Sequence, residues 1–183
     1  MSNLIYWAIP HSNWNPEFHS GISLPEHVPV GAVLLTEPVS DDWIWVEGED
    51  KPRGPNELEL LEIARTSKLA TIDRLRVNHE SAGFAFDGKI FDSDNNSRER
   101  LINAVAAAHT ALIGGGVFAT EWVCQDNTTY SVPDAQTMLA IQLAFTYHGQ
   151  ACHDHTQVLK SAVRGAETLE ALQAIDITTG WPG

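Results

Sequence analysis

The chain has 183 residues, 43% of them hydrophobic, with a formal net charge of −13 and 11 Lys+Arg in all. That length suits one ordinary domain or two small ones. So few cations, none clustered, exclude a phosphate-gripping nucleic-acid surface and disfavour an anionic membrane surface.

The opening "MSNLIYWAIPHSNW" lacks a basic n-region and a cleavable apolar stretch, so no signal peptide is expected. No apolar run approaches the roughly 18–20 residues that span a bilayer. Residues 1–55 hold Pro10, Pro16, Pro25, Pro29, Pro38, Pro52 and Pro55, a density that rules out long helices. They also hold Trp7, Trp14, Trp43 and Trp45. Short aromatic and β-branched runs at "LIYWAI" (4–9), "GAVLLTE" (31–37) and "WIWVEGE" (43–49) predict strands of a small turn-rich β module.

Pro55-Asn56-Glu57 opens a stretch free of Pro and Gly up to Ser81. Leu58, Leu61, Ala64, Leu69, Ile72 and Leu75 fall on one arc, with Glu62, Arg65, Lys68 and Arg74 at its edges or away from it. This predicts an amphipathic linking helix over 56–82, either lying on its own domain or serving as an assembly seam. Past Gly83, "FAFDGKIF" alternates around Asp87-Gly88, a hairpin signal because both turn positions favour positive φ. "DSDNNSRERL" supplies cap residues, Ser97 or a neighbour, for a helix that stops at Gly114-Gly115-Gly116.

A second hairpin is predicted around Asp126-Asn127, between "FATEWVCQ" and "TTYSV". Pro133 and Asp134 then start a long helix to about Arg164. "TLEALQAI" forms a short last helix before the irregular "DITTGWPG". The fold class is therefore α+β: a β module (1–55), a linking helix (56–82) and a helix-and-hairpin domain (83–183). One core of Phe84, Phe86, Ile90, Phe91, Leu101, Val105, Trp122, Met138, Ile141, Phe145 and Leu159 is expected, and residues 82–183 should fold without help.

On the long helix, His148, Cys152 and His155 stand at i, i+4 and i+7 and share a face. Three such groups could grip zinc. The apolar stripe runs through the same positions, no fourth ligand is at hand, and neither zinc-finger spacing nor His-Glu-x-x-His is present. Half-buried packing, with ring nitrogens bonded to neighbours, is the expectation. Cys124 and Cys152 read as reduced thiols of a cytosolic protein. Nucleophile-elbow, P-loop and dinucleotide-binding motifs are absent from the sequence. "DSDNN" lacks the central Gly and terminal Glu of a calcium loop. The expectation is a non-enzyme without metal or cofactor.

The run "KLATIDRLRVNHESAGFAFDGKIFDSDNNSRERLINAVAAA", through Arg76, Glu80, Gly83, Gly88, Phe91, Asp92 and Asp94, resembles a C-terminal domain of unknown function found in tailed-phage proteins. Trp122, Asn127, His148, Leu159, Lys160 and Trp181 continue the likeness over residues 65–182. The stretch "HVPVGAVLLTEPVSDDWIWVEG" is similar to the start of phage tail-fibre assembly proteins. The resemblance implies a tail accessory protein that binds the tail fibre or receptor-binding protein, as assembly chaperone or fibre-tip component. It would act in the host cytoplasm during assembly or stay in the virion tail. The alternatives are a structural baseplate or fibre-attachment subunit, oligomeric through the linking helix, and a metal-dependent hydrolase built on the helix histidines. Trp7, Trp14, Trp43 and Trp45 are the candidate partner-binding residues, because indoles give large contact area at little entropic cost.

Overall fold

The computed structural model describes residues 5–9, 17–21, 33–35, 43–44 and 52–183. The chain divides into two compact units, Met1–Ile63 and Ala64–Gly183. The fold class is α+β.

In the first unit, β1 (Ile5–Ile9) pairs antiparallel with both β2 (Glu17–Gly21) and β3 (Val33–Leu35), giving the order β2-β1-β3. The strands expected at 4–9 and 31–37 are β1 and β3. β2, "EFHSG", has no apolar alternation to announce it and was not expected. Of the third expected strand, Ile44 makes an isolated bridge to Arg53, while residues 45–49 lie outside the described residues. Leu35, Ile44 and Pro52 are buried.

The helix α1 (Glu57–Ser81) starts where Pro55-Asn56 points. Asn56 Oδ1 accepts from Glu59 N at 3.0 Å, and Glu59 Oε2 accepts from Asn56 N at 2.8 Å, a reciprocal capping box. Arg53 grips the same carboxylate at 2.6 and 2.8 Å. The Arg53 guanidinium, then the Asn56 N–H, hold Glu59 down at a pKa of about 2. Leu61 and Ile72 are buried, but Leu58 is 77% exposed, so the apolar arc begins one turn later than its spacing suggests.

The second unit is built on two hairpins, the part of α1 from Ala64 onward and three further helices. β4 (Phe84–Phe86) and β5 (Lys89–Phe91) turn at Asp87 (φ 48°) and Gly88 (φ 72°), the left-handed pair a tight hairpin needs. Gly83 stands at φ 110°, where an added Cβ would lie 2.8 Å from Ile90 Cγ2 and 3.0 Å from the Phe91 carbonyl oxygen, so the position is closed to side chains. β6 (Thr120–Val123) and β7 (Thr129–Val132) form the second hairpin, with Asn127 at φ 60°. Gln125 N donates to Ile90 O at 3.0 Å and ties the hairpins together.

α2 (Asn95–Gly114) is capped by Asp94, whose carboxylate accepts from Asn96 N and Ser97 N, and it ends on Gly115 at φ 68°. α3 (Ala135–Gly165) is capped by Asp134, which accepts from Thr137 N at 2.7 Å. Pro133 therefore precedes the cap and does not open the first turn. α4 (Leu169–Ala174) follows a Thr168 cap.

The core joins Phe84, Phe91, Leu101, Val105, Ala108, Trp122, Cys124, Val132, Ala135, Met138 and Ile141, with Phe86, Tyr130 and Phe145 packed against it. Two expected members differ. Ile90 is 40% exposed, because it pairs with Ala85 on the face opposite Phe84 and Phe91, as period-2 alternation requires. Leu159 is buried but lies outside this cluster.

Candidate functional site

The four tryptophans proposed as a partner surface stand as follows. Trp43 is half-buried, its indole edge beside Gly54: a Cβ there would lie 3.7 Å from Nε1. Trp7 lies on β1, its side chain outside the described set, and Trp14 and Trp45 lie outside the described residues.

The histidine face of α3 is engaged in structure. His148 Nε2 lies 3.0 Å from His79 O, on α1, and 3.8 Å from Cys152 Sγ. His155 Nε2 lies 3.1 Å from Thr179 O. Donating to a carbonyl requires the proton on Nε2 in both rings. Trp181 stacks on His79, with centroids 4.8 Å apart and planes 4° apart, and meets His155 edge-on at 4.8 Å. Trp181 Nε1 donates to Ile177 O at 3.0 Å. The face thus clasps the C-terminal segment. Spacing on α3 placed His148 and His155 together, but gave no sign of His79 or Trp181 as their partners. Among the described residues no group of His, Cys, Asp and Glu is arranged to hold a metal ion.

Both thiols are buried and free, and burial pushes both up from the ordinary cysteine range, Cys152 further through the Glu80 charge and Cys124 through Asp126. Neither is an activated nucleophile in this setting.

Two cations placed at the edge of the α1 arc by spacing alone turn inward instead. Arg65 donates to Ala166 O at 2.8 Å and Lys68 to Leu172 O at 2.7 Å. They satisfy carbonyls at the ends of α3 and α4, where cations also answer the helix dipole. Lys160 pairs with Asp73. Below these contacts, Ser93 Oγ accepts from Gly83 N at 2.8 Å and donates to Glu80 O at 2.6 Å, joining the end of α1 to the first hairpin.

Beside this junction a small cleft of about 260 Å³ opens between the end of α1, the start of α2 and the middle of α3. It is lined by Glu80, Arg98, Phe145, Thr146, His148 and Gly149. The Arg98 guanidinium sits 5.6 Å above the Phe145 ring, and Phe145 meets Phe84 of the core edge-on at 5.5 Å. Arg76 approaches Glu80 at 3.8 Å.

A family model described as "Domain of unknown function (DUF4376)" matches residues 63–179. The chain belongs to this family. The DUF4376 match begins beside the boundary between the two units, at Ile63/Ala64, and takes in α1 from there through α4. The residues lining the cleft and the histidines of α3 lie within the matched stretch, and Trp181 lies just beyond it. No curated protein and no solved structure matches the chain.

Proposed function

We propose that this chain is a tail accessory protein of a tailed bacteriophage, binding the tail fibre or receptor-binding protein as an assembly chaperone or fibre-tip component. The observation that carries the reading is the ordered likeness over residues 65–182, from Arg76, Glu80 and Gly83 to Trp181, which falls on one compact unit. In that unit the motif groups hold the fold together: Gly83 and Glu80 meet at Ser93, and Trp181 rests on His79 and His155. That leaves the tryptophan-rich first unit as the partner anchor. No helix among the described residues is long and apolar enough to cross a membrane, consistent with action in the host cytoplasm or on the virion tail.

Co-expression with the neighbouring fibre gene tests the reading. The protein should co-purify with the fibre and raise the yield of soluble fibre trimer; unchanged yield with no co-purification sinks it. A stoichiometric copy in purified particles without any effect on fibre folding would instead mark a baseplate or fibre-attachment subunit. Replacing Trp43 and Trp45 together by Ala should weaken fibre binding by more than about 2 kcal/mol, the scale of an interface hot spot. The melt of the DUF4376 unit should stay in place.

A further inference from the structure

The cleft has features that the fold does not require. Gly149 lies inside α3, where glycine costs roughly 0.5–1 kcal/mol relative to alanine. An added Cβ there would meet nothing within 4 Å, so no packing contact calls for glycine. Gly149 is itself one of the residues that line the cleft. Arg98 is the second feature. Its guanidinium is steadied over Phe145, and among the described residues no carboxylate is paired with it. Glu80, the anion of the cleft, is answered by Arg76. Arg76 Nε is itself buried with no acceptor. With Glu80 set against Arg76, the charge left over in the lining is that of Arg98. Thr146 Oγ1 is spent on Gln142 O at 2.9 Å, and His148 Nε2 on His79 O, so among the side-chain donors of the wall the Arg98 guanidinium is the free one.

A cavity of about 260 Å³ lies below the roughly 300–1,000 Å³ of pockets that enclose whole small ligands. It suits one side chain. We propose that this cleft receives an aspartate or glutamate side chain of a partner protein, with Arg98 as its cation and Phe145 as its apolar floor. The net charge of −13 opposes an acidic partner at long range. That opposition is screened beyond about 8 Å at physiological salt, while a guanidinium–carboxylate contact acts at bonding distance. The proposal does not rest on the fibre reading, and its test needs no fibre.

The full-length ¹⁵N-labelled protein is titrated with N-acetyl-glutamate N-methylamide and, in parallel, with the neutral N-acetyl-glutamine N-methylamide. The acidic probe should shift the Arg98, Thr146 and Gly149 amides saturably, and bind about tenfold tighter than the neutral one, the scale of one charged hydrogen bond. Arg98→Gln should lose the same about tenfold, whereas Arg100→Gln, whose guanidinium lies over Trp122, should lose nothing. Gly149→Gln, which fills the cleft from another wall, should abolish the shifts. Equal response to both probes, undiminished binding by Arg98→Gln or Gly149→Gln, or no saturation up to about 0.1 M would overturn the proposal.

Discussion

From Ala135 to Phe145, α3 meets aliphatic and aromatic side chains; from His148 to Gly165 it meets backbone carbonyls, ion pairs and a folded-back segment. In the first half Met138 and Ile141 are fully buried against Phe84, Phe91 and Trp122, and Phe145 flanks them. In the second half the buried stripe continues through Cys152, Thr156, Leu159 and Val163 but takes in a hydroxyl, and Thr156 Oγ1 must donate to Cys152 O at 2.8 Å to be buried at all. What completes that half is polar: His148 on His79 O, His155 on Thr179 O, Arg65 on Val163 O and Ala166 O. One continuous helix is thus held by a dry core at one end and by a clasp of α1 and the C-terminal segment at the other. The dry end needs only its hairpins and α2. The clasped end needs residues far along the chain.

The sharpest way to break this comparison is to remove one set of partners. A fragment of residues 82–183 keeps the core but loses Arg65, Lys68, Asp73 and His79. The expectation from sequence that it folds unaided gives way here: it should melt broadly, with α3 frayed beyond about Gly149, whereas 64–183 should melt cooperatively. Hydrogen exchange of the amides from Cys152 to Val163 reads the difference. Equal protection in both fragments would show that the clasp contributes nothing.

The dry half is probed by truncation. Phe84 is 2% exposed and touches Phe91 and Phe145, so Phe84→Ala should cost about 3–5 kcal/mol in denaturant melts. Phe145 is only half-buried at the cleft, and Phe145→Ala should cost less than Phe84→Ala. A larger loss at Phe145 would move the centre of the core.

This asymmetry also decides what could be read beforehand. The spacing of Met138, Ile141 and Phe145 writes the dry face into the sequence, and Asp87-Gly88 and Gly115 mark their turn and cap by residue type, whereas the α2 cap falls on Asp94, three residues before the expected Ser97, because any of the Asp, Asn and Ser side chains of this run could accept from the first turn. The clasp is not written that way. Its acceptors are backbone carbonyls 69, 98 and 101 residues away, and every residue has a carbonyl. Arg65 and Lys68 therefore looked like an exposed edge, and His79 and Trp181 had no visible tie to His148 and His155. Ile90 went astray for a different reason. A hairpin of alternating large residues shows its period but not its phase, and the pairing of Ile90 with Ala85 sets it outward. The cleft was illegible because its wall includes a glycine, whose contribution is the absence of a side chain.

Acid should loosen the clasp through Asp176. The Thr179 hydroxyl, then the Thr178 hydroxyl and N–H, hold its carboxyl at a pKa of about 2 against an ordinary 3.8. A carboxyl lowered in the folded state contributes stability that is fully present above the ordinary value and is lost as pH falls through the folded one. Trp181 emission should therefore change between about pH 4 and pH 2 as the Asp176–Thr179 turn lets go. Asp126 is held at about 2 as well, first by Thr128, so acid alone strains both hairpin and clasp. Asp176→Asn separates them: it should flatten the Trp181 response in that window and leave the hairpin amides titrating as before. A Trp181 response unchanged by this substitution would assign the acid step to the hairpin.

The smallest expected effect has the opposite sign. Gly149 lies at the joint between the two halves of α3, after Phe145 and before Cys152. Alanine at this position meets open space, and a helix interior favours it over glycine by roughly 0.5–1 kcal/mol, because glycine surrenders more backbone freedom on folding. Gly149→Ala should raise the denaturant midpoint without changing the slope of the transition, since the same surface is buried. It should also narrow the cleft beside Phe145 and weaken capture of the acidic probe, so stability and binding move in opposite directions in one substitution. If the substitution destabilises the protein, the helix does not run straight through the joint as described, and the glycine serves a bend between the dry half and the clasped half.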